Sequence, residues 1–61
     1  MEDGFVYDEM QGAFLQKVNG YQLIQRANER QVAVFKDGVC VETFNSRKAA
    51  KDFALGRLPP K

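Results

Sequence analysis

The chain of 61 residues reads as an α+β domain, an antiparallel meander of three to four strands packed against one C-terminal helix. Three observations carry that expectation. The dipeptides Asn19-Gly20 and Asp37-Gly38 each stand between two runs of β-favouring residues, as the centre of a two-residue hairpin turn does. After Phe44 the spacing of apolar residues changes from the period of a strand to that of a helix. Beyond that stretch come Gly56 and then Pro59-Pro60, which stop a helix and forbid its continuation.

In chain order, residues 1–12 form an acidic N-terminal arm. Glu2, Asp3, Asp8 and Glu9 lie there, and all nine lysines and arginines follow it. Such an arm either stands in solvent or folds back over a basic surface. Residues 13–44 make the sheet. Ala13–Val18 and Tyr21–Arg26 flank the first turn; Gln31–Lys36 and Val39–Phe44 flank the second. A helix capped by Asp8 and stopped at Asn19-Gly20 competes with the first hairpin. Gly12 would weaken that helix by about 1 kcal/mol relative to alanine, so the hairpin is preferred.

Residues 46–58 hold the helix and the start of the tail. Asn45 or Ser46 caps it, because a side-chain oxygen there accepts from an amide the first turn leaves free. Ala49, Ala50, Phe53 and Ala54 share one stripe, with Leu58 just beyond. One domain, 1–61, accounts for everything. At this length the stability expected is about 3–9 kcal/mol, and small domains often reach it through disulfides, metals or oligomerisation. A single cysteine and the absence of histidine close the first two routes.

Pairing the strands through their turns sets Val34 opposite Val41, Phe35 opposite Cys40, Leu23 beside Val34 and Ile24 beside Ala33. One face then collects Phe14, Val18, Tyr21, Leu23, Val32, Val34, Val39 and Val41 beneath the helix. The other collects Leu15, Ile24, Ala33, Phe35, Cys40 and Phe44, with Lys17, Arg26 and Glu42 among them. Both faces are apolar, whereas a sheet with one wet face alternates more cleanly. One helix covers one face. The candidate partner-binding residues are therefore Leu15, Ile24, Phe35, Cys40 and Phe44.

No catalytic residue, cofactor site or metal site emerges from the pattern. Histidine, the usual base and ligand, is missing, and no phosphate-cradling glycine loop or zinc spacing occurs. Cys40 reads as a small core hydrophobe, because no nearby residue would activate its thiolate. The expectation is a non-enzyme. An acidic start, no apolar run of membrane-spanning length and an unpaired cysteine point to the cytoplasm.

The basic residues Lys17, Arg26, Arg30, Arg47, Lys48 and Lys51 are candidate contacts for nucleic acid or an acidic partner. A resemblance bears on them. The stretch Gln31–Gly56, QVAVFKDGVCVETFNSRKAAKDFALG, is similar in pattern to the sheet-then-helix modules of phage and transposon integrase arm-binding domains and of Apetala-type DNA-binding domains. In these a strand pair ending in a threonine–phenylalanine step leads into an alanine-rich helix, as Thr43-Phe44 leads into Ala49-Ala50. The resemblance implies that the sheet face turned from the helix enters the major groove, with Lys17, Arg26 and Arg30 as its contacts. Leu15, Ile24, Phe35 and Cys40 depart from that pattern, since apolar groups suit neither phosphates nor base edges. The first expectation is therefore a protein-interaction module: a small phage-type inhibitor or regulator, in one variant an anti-defence inhibitor. Its partner is a foreign protein or a second copy in a homodimer. DNA binding through the basic residues is the alternative.

Overall fold

A computed structural model describes residues 4–57. Its elements are β1 (Val6–Asp8), β2 (Ala13–Val18), β3 (Tyr21–Arg26), β4 (Val32–Lys36), β5 (Val39–Phe44) and α1 (Arg47–Ala54). The strands form one antiparallel sheet in the order β1-β2-β3-β4-β5. This is the expected α+β meander with a C-terminal helix, but it has five strands rather than three or four. The additional strand comes from the stretch read as an acidic arm. Glu2, Asp3 and Leu58 lie outside the described residues.

The hairpin, not the competing helix, forms at residues 13–26. Asn19 and Gly20 adopt φ of 52° and 83°, and Asp37 and Gly38 adopt 53° and 79°. Positive φ at both central positions twists the turn with its strands, and Asn, Asp and Gly tolerate it best. Asp8 builds the β1–β2 connection. Its carboxylate accepts from the Met10 amide at 2.9 Å and from the Gln11 side-chain amide at 3.2 Å, while the Gly12 amide donates to the Asp8 carbonyl at 2.8 Å.

One register differs from the expectation. Phe35 does pair with Cys40, but Val34 pairs with Glu42, because β5 carries an additional residue opposite the Val34/Phe35 step. Such a bulge reverses the side on which every later residue of its strand falls. Val41 is consequently 46% exposed instead of lying under the helix. Phe44 moves to the helix side, where its ring centroid lies 5.4 Å from that of Phe53. Glu42 leaves the second face for the same reason.

The core is small. Leu23, Val32, Val34, Ala50 and Ala54 are fully buried between sheet and helix, with Phe5, Val18, Tyr21, Phe44 and Phe53 packed around them. Alanines at positions 50 and 54 let the helix approach the sheet closely. At its start the Ser46 hydroxyl accepts from the Ala49 amide at 3.1 Å. At its end the Gly56 amide donates to Phe53 and the Arg57 amide to Asp52, the paired bonds of a Schellman stop. A contact from outside the helix adds to these: the Asn19 side-chain amide donates to the Ala54 carbonyl at 3.0 Å. The first hairpin turn thus also caps the helix. Replacing Ser46 with alanine should lower stability by about 1 kcal/mol, read as a lower urea midpoint with unchanged m. Equal midpoints would show that the cap contributes nothing.

Candidate interaction surface

The face turned from α1 is organised in three rows across the strands. Its middle row is Val6, Leu15, Ile24, Ala33 and Thr43, each paired with the next. One end row is Asp8, Ala13 and Arg26. The other is Lys17, Gln22, Phe35 and Cys40. An apolar strip therefore runs across the strands from Val6 to Ala33 and is widened by Phe35. Polar and charged side chains border it on both sides.

Among the described residues no element packs on this face, because the helix meets β3, β4 and β5 on the other side. The N-terminal segment lengthens the sheet sideways as β1 instead of covering it. Leu15, Ile24, Ala33 and Phe35 are half-buried by their neighbours, and Val6 is 69% exposed. The small side chains Ala13 and Ala33 leave a depression of about 330 Å³, bordered by Ile24, Arg26, Gln31 and Phe35.

Of the five residues expected to bind a partner, Leu15, Ile24 and Phe35 come together here. Phe44 is on the opposite face for the reason given above. Cys40 sits next to Phe35 but is exposed on the edge strand, with its thiol 3.7 Å from the Glu42 carbonyl. It is not the core hydrophobe expected, because among the described residues β5 has no outer neighbour. Val6 and Thr43 also join the surface. The run of β-favouring residues Phe5-Val6-Tyr7 is a signal for the former.

The six basic candidates do not converge. Lys17 and Arg26 occupy opposite end rows of the open face. Arg30 lies in the β3–β4 connection, where its carbonyl accepts from the Gln25 side chain at 3.0 Å. Arg47, Lys48 and Lys51 belong to the helix on the far side of the sheet. Arg47 has an internal role: its guanidinium lies 4.6 Å from the Phe5 ring centroid and 4.8 Å from that of Phe14, and its Nε donates to the side-chain Oε1 of Gln25. Lys51 also lies over Phe5, at 5.6 Å. Lys48 pairs with Asp52 at 3.0 Å. In the arm, Asp8 is a turn-building side chain and Glu9 is exposed.

Among the described residues no three His, Cys, Asp or Glu side chains are grouped to hold a metal ion, and no helix is long and apolar enough to cross a membrane. No protein-family model matches the chain, and no curated protein or solved structure matches it. The fold and its open face define a small α+β domain with an apolar strip on the uncovered side of its sheet.

Proposed function

We propose that this protein is a non-catalytic interaction module that binds a protein surface through the sheet face opposite its helix. A small regulator or inhibitor acting by occlusion fits that description. The observation carrying this reading is the strip Val6–Leu15–Ile24–Ala33 with Phe35, which nothing among the described residues covers. An apolar centre ringed by Lys17, Gln22, Arg26 and Thr43 has the layout of a protein interface, whose centre is depleted in charge and whose rim is polar. Nucleic acid is less well served, because phosphate binding needs basic groups gathered on one surface and here they are divided between two.

The test compares tagged wild-type chain with Ile24→Glu and Lys48→Glu in capture from the source cells. Ile24 lies mid-strip, and a charge there is unpaired in any apolar contact. Ile24→Glu should abolish capture of proteins that wild type and Lys48→Glu both retain. Identical captured sets for all three would defeat the proposal. Retardation of duplex DNA at low salt, lost on Lys17→Ala or Arg26→Ala, would put the nucleic-acid reading in its place.

A further inference from the structure

We infer that the occupant of the open face is a second copy of this chain, the two sheets meeting face to face about a two-fold axis along the row Leu15–Ile24–Ala33. This rests on the interaction-module reading and names its partner. The first support is size. A standard interface takes about 800 Å² from each partner, and the molecule exposes 4597 Å² in all. One broad side of a body measuring 31 × 28 × 19 Å supplies an area on that order. The sheets of a sandwich pack about 10 Å apart with strands nearly aligned, which this axis produces.

The second support is the arrangement of shape and charge. The axis lays the middle row of one copy on the middle row of the other, so Leu15 meets Leu15 and Ile24 meets Ile24. It lays each end row on the opposite end row. Phe35 of each copy then comes over Gln31 at the border of the depression in the other, a projection facing a hollow. Arg26 faces Gln22. Lys17 faces Ala13, whose cross-strand neighbour is Asp8, a charge of opposite sign. The alternative axis, parallel to the strands, would bring Arg26 of the central strand β3 onto its own copy. Like charges in contact select against it.

The third support is the size of the core. Among the described residues only Leu23, Val32 and Val34 are fully buried side chains larger than alanine, and the single cysteine forms no internal disulfide. A domain this small gains stability from a partner that binds only the folded form. A homodimer provides one at every concentration above its dissociation constant.

The experiment is sedimentation velocity on the full chain from about 1 to 100 µM, together with thermal unfolding over the same range. The expected species is a dimer of the 6.9 kDa chain with a Tm that rises with concentration. Ile24→Glu and Phe35→Ala should each weaken association at least about tenfold and keep the wild-type circular dichroism, whereas Lys48→Glu should remain dimeric. A wild-type chain that stays monomeric with a concentration-independent Tm overturns the inference. So does a dimer that survives both face variants. If either variant fails to fold, the other and the wild-type Tm series still decide. A monomer whose protein capture is nonetheless lost on Ile24→Glu would overturn self-association and leave the interaction module standing. Loss of neither property by that variant would remove both.

Discussion

Leu23→Ala is expected to leave the protein largely unfolded at 37 °C. Leu23 is fully buried in the central strand β3, paired with Gln16 on one side and Val34 on the other, and it is the largest side chain in the buried cluster. Truncation removes its transfer free energy and leaves a cavity, which together cost about 2–5 kcal/mol for leucine to alanine. The whole stability of a chain this long is about 3–9 kcal/mol, so this one change removes much of it. Small domains have few other apolar contacts to share the loss. Val39→Ala is the control. Val39 is 61% exposed, and its truncation should fall within about 0.5 kcal/mol of wild type. Urea unfolding followed by circular dichroism measures both. Equal midpoints for the two variants would mean that the core is not where the structure places it.

The second large effect is expected at Arg47, where replacement by alanine should cost about 2–3 kcal/mol. The guanidinium lies against two aromatic rings, Phe5 and Phe14. Each such contact contributes about 0.5–1 kcal/mol, and more where water is excluded. A hydrogen bond from a charged donor adds about 1.5–3 kcal/mol, here to Gln25. These terms overlap, so the total stays below their sum. Arg47 joins the helix to β2, β3 and the residue leading into β1. Its loss should therefore also quicken amide exchange in Val6–Asp8 more than in β4. Arg47→Lys keeps the charge but loses the flat stacking surface and the Nε donor, and should fall between. Lys48→Ala removes an ion pair whose lysine side chain is 87% exposed, and should change stability by no more than about 0.5 kcal/mol. If Arg47→Ala were as mild as Lys48→Ala, Arg47 would be a surface cation after all.

These two residues differ in how readable they were. Leu23 belongs to an alternating run beside an Asn-Gly turn, so its face followed from the turn and a period of two. Arg47 looked like any basic residue at a helix start. Its role depends on Phe14 of β2 and on Phe5, which lie far from it along the chain; Phe5 meets it only because β1 adds to the edge of β2. Asp8 is intermediate. It read as part of an acidic arm, yet Asp8 and Gly12 have the types and spacing of a four-residue turn, so a local signal was there to find.

The open face divides along the same line. Pairing through the turns together with alternation places Leu15, Ile24 and Phe35 on one surface, and they lie there. Phe44 was placed with them and lies on the other side. The intervening cause is the bulge at Val41, which carries neither glycine nor proline to mark it. Cys40 reads as a small core hydrophobe for want of any cue to thiolate activation, yet it lies exposed on the edge strand, because burial depends on what packs over a strand and not on its own residues.

What the amino-acid order determined by itself is therefore local. Asn19-Gly20 and Asp37-Gly38 set the two hairpins, Ser46 and Gly56 set the ends of the helix, and alternation in β2, β3 and β4 set two apolar faces. Each depends on residues within a few positions of one another, where backbone sterics and hydrogen bonding decide. Tertiary structure decided the fifth strand, the register after Val41, the Arg47 contacts and the Asn19 cap on Ala54. It also decided that Val6–Asp8 adds to the sheet edge and that the second face is left open among the described residues. Those outcomes depend on which distant segments compete for the same backbone edge and the same apolar surface, and only the assembled fold settles that competition.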